Sequence, residues 1–330
     1  MIARLFIMFK PGVYIPEGEK FSARDYEIDG LKVVEYYPAR SDKTENPRSK
    51  GTLKIDGVPT FFADTLKFDF VKIDFDRTVG SETDPSLDVL SRAVNSYLMR
   101  LRHVAQAGLV RSVNLPLSTW SLNYLNDDES ELAQEEGKRR GIGGGTASLS
   151  YIAFNKQVWE DMHRLAPEYA PMPWESILLD AGVELPQVGP AIVLTQTALE
   201  VFISHHLDRL AEHKQVSPSL WSWVTDRGNH DRDPSVSEKF DILLRELTGH
   251  SLKDESALWK AFQNLKSARN AFVHEGTARI GEQEIREDVA AKLIQDANRI
   301  ISKVREWTPE ALQWPEIKSK VNLQISFELG

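Results

Sequence analysis

The sequence contains no cysteine among its 330 residues. This absence excludes disulfide bonds, cysteine-ligated zinc, iron–sulfur clusters and thiol nucleophiles. No apolar run approaches the roughly 18 residues that a membrane-spanning helix needs. The apolar stretch at residues 1–9 is interrupted by Arg4 and lacks a small-residue cleavage site, so we expect no signal peptide and a cytoplasmic location.

Basic charge is scarce relative to acidic charge. There are 40 Lys and Arg residues against 49 Asp and Glu, for a formal net charge of −9. This balance argues against broad coating of nucleic acid, which needs a large basic surface, but not against a local basic cleft. The composition, 41% hydrophobic and 27% charged, is typical of a globular protein, and the length suggests two domains.

Residues 1–174 are predicted to form a mixed α+β domain. In one segment Leu66, Phe68 and Phe70 alternate with polar residues, which is the period of a half-buried strand. Other strands are predicted from apolar or alternating segments. The predicted strands are 1–9, 31–37, 65–76, 118–125 and 147–154.

Two helices and a linker complete this predicted domain. Asp84 as N-cap and Pro85 at the first helical position begin a helix that ends near residue 105. Residues 126–146 are acidic, then basic, then glycine-rich, and are predicted to be a linker. A short helix is expected at 156–165, and a cluster of prolines between 171 and 190 marks the boundary.

Residues 175–310 are predicted to form an all-α bundle. Apolar residues recur three and four apart in each predicted helix, and a capping box at Ser235 and Glu238 begins the second. Gly249 and Gly276 stop the second and third. Four such helices form a small antiparallel bundle. The predicted helices are 190–213, 235–249, 255–274 and 282–307.

The tail, residues 311–330, contains one further predicted strand. Residues 321–329 alternate apolar and polar side chains but have no neighbouring strand in sequence. We therefore expect this strand to return to the N-terminal sheet. The predicted fold class is α+β.

Arg269, Asn270 and His274 lie at the end of the third predicted bundle helix. Arginine is a fixed cation suited to phosphate, and histidine titrates near neutral pH. Such a pair can cleave RNA without metal, because the base takes the ribose 2′-hydroxyl proton and the cation stabilises the phosphoryl oxygens. Five residues correspond to a rotation of roughly 140° on a helix, so one copy is incomplete, whereas two copies at a two-fold interface could line one cleft.

The segment Arg269-Asn-Ala-Phe-Val-His274 resembles the R-x(4–6)-H motif of the HEPN superfamily (higher eukaryotes and prokaryotes nucleotide-binding), whose domains are four-helix bundles. The first helix carries Ala198-Leu-Glu-Val-Phe-Ile203, similar to the Ala-Leu-Glu opening of many HEPN helices. The resemblance covers residues 175–307.

The resemblance implies a homodimer formed through the bundle. Many HEPN proteins are metal-independent endoribonucleases that leave 2′,3′-cyclic phosphate ends and serve in toxin–antitoxin, abortive-infection and other antiviral systems. The resemblance implies that Arg269 binds or activates the scissile phosphate and that His274 acts as a general acid or base. Asn270 would orient substrate or partner residues. Gly276 stands where a toxin subgroup has a tyrosine that a partner nucleotidyltransferase modifies, so that silencing is not expected. No cofactor is expected.

A non-catalytic adaptor, which dimerises or binds nucleotides or RNA, is the alternative. Arg269 and Asn270 would then cap the bundle, with His274 favourably placed near a helix C-terminus. Glu200 either pairs with Arg269 or is an exposed helix glutamate. In the ribonuclease interpretation, the N-terminal domain would act as a sensor, or would select the substrate or a partner such as a regulatory protein or phage-derived trigger.

Other candidate residues carry weaker signals. Lys138, Arg139 and Arg140 either contact an RNA backbone or form a solvated charge cluster. The glycine-rich segment 141–146 lacks the last glycine of a dinucleotide loop and is predicted to be a hairpin loop. The sequence contains no nucleophile elbow and no Walker loop.

Two groups near the first bundle helix have side chains that could bind a ligand. A metal site is disfavoured because the two adjacent histidines point to different faces and no H-E-x-x-H pattern occurs. Trp221 and Trp223 either stack on a base or pack between helices. The residues with metal-ligand chemistry are His205, His206, Asp208 and His213.

Overall fold

The chain divides into two compact units, and the α+β fold class is confirmed. The first unit contains an antiparallel sheet and the second is mostly helical. The units are Met1–Ala170 with Ile317–Gly330, and Pro171–Glu316. A computed structural model describes residues 1–40, 51–72, 85–115, 118–137, 152–185, 187–226, 233–314, 319 and 323–327.

Eight of the described strands form one sheet in the first unit, in the order β10-β4-β5-β1-β6-β7, with β3 also paired to β5 and β2 to β3. All of these pairings are antiparallel. β8 and β9 form a separate small hairpin in the second unit. The strands are β1 Ile2–Pro16, β2 Arg24–Ile28, β3 Leu31–Glu35, β4 Gly51–Ile55, β5 Val58–Val71, β6 Trp120–Leu125, β7 Glu131–Gly137, β8 Arg279–Ile280, β9 Gln283–Glu284 and β10 Leu323–Phe327.

The core of the first unit lies between one face of the sheet and two helices, α1 (Leu87–Val104) and α2 (Lys156–Met162). In the first half of β1 every second residue from Ala3 to Phe9 is buried, as the period of a strand with one covered face requires. In β5 Leu66, Phe68 and Phe70 follow the same period, although Asp69 between them is buried as well. Phe68 of β5 meets Tyr97 of α1 edge-on, with ring centroids 5.8 Å apart.

The start of α1 corrects one prediction. The helix begins at Leu87 rather than Pro85, and Ser86 is its N-cap. The Ser86 hydroxyl accepts a hydrogen bond from the Val89 amide at 3.4 Å, which satisfies one of the unpaired amides of the first turn. Asp84, the predicted cap, lies outside the described residues.

The predicted linker 126–146 also needs correction, because Glu131–Gly137 is strand β7. β7 pairs with β6 at the edge of the described sheet, and Glu131 at its start is exposed to solvent. Of the predicted strand 147–154, only residues 152–154 are described. They form no strand, and a single bridge joins Ala153 to Tyr14.

The C-terminal strand returns to the N-terminal sheet, as predicted. β10 pairs antiparallel with β4, with Ile325 opposite Leu53. The sheet therefore unites strands from the two ends of the chain.

The second unit contains seven described α-helices. Two of them, α3 and α5, were not predicted. α3 lies within the proline cluster, and Pro173 occupies its first position, where proline is tolerated. A π-helical segment, Lys239–Leu243, joins α6 to α7. None of the described helices combines the length and apolar character needed to cross a membrane. The helices are α3 Pro173–Val183, α4 Val188–His213, α5 Pro218–Thr225, α6 Val236–Glu238, α7 Leu244–Thr248, α8 Ser256–Glu275 and α9 Glu287–Glu306.

Two contacts show that α8 runs antiparallel to α4 and α9. Gly189 near the start of α4 lies against Phe272 near the end of α8. Lys303 near the end of α9 has its Nζ 3.3 Å from Glu255 Oε1, at the start of α8. The helices enclose one apolar core. Its aromatic members include Trp174, Phe202, Phe240, Phe262 and Trp314.

Candidate functional site

The segment from Arg269 to His274 occupies the last turns of α8. The helix ends at Glu275, and Gly276 adopts a φ of +78°, a conformation that favours glycine. The Gly276 amide donates to the Phe272 carbonyl at 2.8 Å, which closes the helix. The local sequence therefore holds Arg269 and His274 in a regular helix up to its end.

Arg269 is half-buried and has no carboxylate partner among the described residues. Its Nη1 donates to Asn270 Oδ1 at 3.2 Å, and this is its one hydrogen bond in that part of the chain. The amide orients one arm of the guanidinium without neutralising its charge. A cation held in this way is suited to an anionic ligand such as phosphate.

His274 is exposed, and its ring makes no hydrogen bond or ion pair within the described ranges. The carboxylate next to it in sequence, Glu275, is ion-paired with Arg279. Val273 beside it is 51% exposed, which is high for a large apolar side chain. The imidazole is therefore accessible from solvent, next to an uncovered apolar side chain.

The helix does not place all the motif residues on one face. Asn270 and His274 are four residues apart and share a stripe, whereas Arg269 and His274 are five apart, a rotation of roughly 140°. The helix is regular across this segment. One copy of the chain therefore presents the cation and the imidazole in different directions.

Glu200 forms no ion pair with Arg269 among the described contacts. Its Oε1 accepts a hydrogen bond from Gln196 Nε2 at 3.1 Å, and the side chain is half-buried rather than exposed. Glu200 lies eleven residues along α4 from Gly189, and Arg269 lies three residues before Phe272. Because the helices are antiparallel, the two residues are about 12 Å apart along the bundle axis.

Gln196 is a polar residue of this region that sequence reasoning missed. It is 2% exposed, and its Oε1 has no hydrogen-bond partner in the part of the chain that the structure describes. The sequence does contain a signal for its burial, because Gln196 falls on the same helical stripe as the apolar residues Ile192 and Leu199. Sequence periodicity could have placed this amide in the interior beside Glu200.

The histidines of α4 behave as periodicity suggests. His206 is buried, its Nε2 shares a hydrogen bond with Thr308 Oγ1 at 2.9 Å, and its ring stacks on Phe202. Burial, with smaller contributions from the charges of Arg209 and His205, lowers its pKa to about 4. His205 is exposed. Across the described ranges, no three or more His, Cys, Asp or Glu residues group in a way that could hold a metal ion.

The tryptophans of α5 have different surroundings. Trp221 donates its Nε1 proton to Asp208 Oδ1 at 2.8 Å and packs partly against the core, so it anchors α5 to α4. Trp223 is 62% exposed. The predicted basic cluster Lys138, Arg139 and Arg140 and the glycine-rich segment 141–146 lie outside the described residues.

The first unit contains a buried charged cluster that sequence reasoning also missed. Arg100 of α1 donates from Nη2 to Glu35 Oε2 at 2.7 Å and from Nη1 to Oε1 at 3.2 Å. His163 hydrogen-bonds to the same carboxylate. Burial opposes the ionisation of Glu35, but the hydrogen bond with His163 and the charge and hydrogen bonds of Arg100 outweigh it and lower its pKa.

Comparison of the chain with protein-family models, with curated proteins and with solved structures finds no match. The resemblance to HEPN proteins therefore rests on the motif residues and on their helical frame.

Proposed function

We propose that the chain is a metal-independent endoribonuclease of HEPN type that acts in the cytoplasm. One observation carries the proposal: Arg269 has no carboxylate partner within the described ranges while His274 is exposed at the same helix end. A half-buried cation without a counter-charge favours an anionic ligand, and an accessible imidazole can transfer a proton near neutral pH.

The chemistry needs only these groups. An imidazole takes the proton from the ribose 2′-hydroxyl, O2′ attacks the adjacent phosphorus, and the bond from phosphorus to O5′ breaks. The departing O5′ receives a proton from an imidazolium. Arg269 stabilises the negative charge that builds on the non-bridging oxygens. The products carry a 2′,3′-cyclic phosphate and a 5′-hydroxyl.

The proposal includes a homodimer formed through the bundle. The rotation between Arg269 and His274 leaves one copy with an incomplete site, and a two-fold axis near the end of α8 would supply two arginines and two imidazoles to one cleft. The exposed Val273 is an apolar residue that such an interface would cover. Asn270 would orient Arg269 or contact substrate or partner residues.

The biological role that fits this chemistry is antiviral defence or toxin-like growth arrest. The first unit would serve as sensor or would select the substrate or a partner, including a regulatory protein or a phage-derived trigger. Gly276 provides no hydroxyl for nucleotidyl transfer at the position that a toxin subgroup uses, so regulation would act elsewhere.

The test is cleavage of labelled single-stranded RNA by the purified full chain in EDTA, with the product ends analysed by mass. We expect 2′,3′-cyclic phosphate ends, and loss of cleavage in Arg269→Ala and His274→Ala while the dimer persists in light scattering. His213→Ala is the matched control, because His213 is also an exposed histidine in the last turn of its helix.

Two outcomes would contradict the proposed ribonuclease activity at this helix end. If the dimer leaves RNA intact, the chain is not a nuclease, and RNA binding by that dimer would favour the non-catalytic adaptor. If both motif variants cleave as fast as the parent chain, the activity does not reside at this helix end.

A further inference from the structure

Lys266 lies one turn before Arg269 on α8. Its Nζ is 3.1 Å from Ser237 Oγ of α6, and the side chain is half-buried. This hydroxyl is its one polar partner among the described residues, and no carboxylate neutralises it there. By contrast, Lys303 on α9 forms ion pairs with Glu255 and Glu306.

Lys266 continues the stripe of the candidate site. Lys266, Asn270 and His274 follow one another at intervals of four residues, which is about 6 Å of rise for each step. Arg269 lies beside this stripe. Two cations, at Lys266 and Arg269, therefore lie within one turn of each other on a helix whose end also carries the exposed imidazole.

We propose that Lys266, with Ser237, binds a second backbone phosphate of single-stranded RNA, next to the phosphate held at Arg269. This inference rests on the proposed function. A backbone phosphate gives the ammonium the counter-charge that the described chain does not provide, and the Ser237 hydroxyl can donate to the same phosphate. This phosphate contact touches no base, so it positions the RNA strand without selecting its sequence.

Lys239 is a matched control for Lys266. It is also half-buried, donates from Nζ to a serine hydroxyl, Ser204 Oγ at 2.9 Å, and has no carboxylate partner in the described part of the chain. Ser237 and Lys239 are two residues apart, a rotation of roughly 200°, so Lys239 leaves the opposite side of the helix from the one Lys266 approaches.

The experiment measures RNA binding by the full chain carrying His274→Ala, so that no substrate is consumed. Anisotropy of a short labelled single-stranded RNA gives the dissociation constant over a series of NaCl concentrations. Each phosphate contact contributes about 0.7 to the slope of log K against log salt for single strands. We expect Lys266→Ala to reduce the slope by about that amount, and Lys239→Ala to leave it unchanged.

Lys266→Gln and Lys266→Arg guard against a folding defect. The Gln side chain keeps a donor for Ser237 but removes the charge. The Lys266→Gln chain should therefore show the same reduction in the slope of log K against log salt as Lys266→Ala, whereas the Lys266→Arg chain should keep the slope of the parent. If the Lys266→Gln and Lys239→Ala chains have equal slopes, the inference is overturned. Cleavage of RNA by the parent chain would in that case still support the proposed function. Absence of RNA binding together with absence of cleavage would overturn the inference and the proposed function together.

Discussion

The ring of Phe272 occupies the space beside the Cα of Gly189. A Cβ at position 189 would lie 2.1 Å from Phe272 Cε2 and 2.4 Å from Cδ2. Phe272 lies between Arg269 and His274 on α8, so this contact sets the position along the α4 axis beside which Arg269 and His274 lie. Glycine at position 189 is required by the close approach of the two helices.

Gly189→Ala should destabilise the chain. The added methyl group overlaps the Phe272 ring, and overpacking of this kind typically costs about 1–3 kcal/mol, more than the gain in helix propensity of about 0.5–1 kcal/mol. Urea unfolding measures the change. Gly182→Ala is the control, because a Cβ there meets nothing within 4 Å, and we expect it to be neutral or stabilising.

The double variant Gly189→Ala with Phe272→Leu separates overpacking from other causes. The smaller, non-aromatic side chain should recover part of the lost stability, so the two changes should not be additive. Additive effects, or a Gly189→Ala chain as stable as the parent, would show that the α4–α8 contact does not restrict position 189.

Asn270→Asp should weaken RNA binding more than Asn270→Ala does. The carboxylate is almost the same size as the amide and keeps the oxygen that accepts from Arg269, but it neutralises the guanidinium that we propose for phosphate. Anisotropy with labelled RNA in the His274→Ala chain measures both variants. Equal affinities for the two variants would show that the charge of Arg269 does not contribute to binding.

Arg100→Leu should destabilise the chain strongly. The substitution leaves Glu35 buried without its principal counter-charge, and removal of one partner of a buried ion pair typically costs about 3–5 kcal/mol. Arg92, on the same helix, pairs with Asp29 and Asp88 at the surface. Arg92→Leu should therefore change the free energy of unfolding by less than about 1 kcal/mol. Similar losses in the two variants would contradict this reasoning.

His206 should make stability depend on pH. Its pKa is near 6.5 in the unfolded chain and about 4 in the fold, so between these values the unfolded state binds the extra proton. Stability is therefore lost as the pH falls from 6.5 towards 4, by up to about 3 kcal/mol. His206→Gln should flatten this part of the curve, measured by urea unfolding, whereas His205→Gln at the exposed neighbour should not.

Local sequence signals predicted the helix that carries the candidate site closely. α8, Ser256–Glu275, differs by one residue at each end from the predicted 255–274. The apolar stripe and the positive φ of Gly276 are both local properties, and local properties are what sequence periodicity reads. The same reasoning missed β7, because its acidic side chains suggest a loop until the partner strand β6 is known.

The periodicity of the sequence indicates that Glu35 and Arg100 of the first unit are buried, but no sequence motif marks them. Glu35 follows Val33 by two residues on β3, and Arg100 follows Tyr97 by three on α1, so both lie on buried faces. Periodicity could place each charge inside. It could not pair them, because that depends on which helix covers which strand.

The sequence by itself determined the chemistry available to this protein: no thiol, an arginine and a histidine five residues apart, and a helix that stops at Gly276. Only the tertiary structure decided which partners those residues have. Spacing along a helix follows from local backbone hydrogen bonds, whereas the offset between two helices follows from side chains that are distant in sequence. The contact of Gly189 with Phe272 sets that offset here, and it keeps Glu200 about 12 Å along the axis from Arg269.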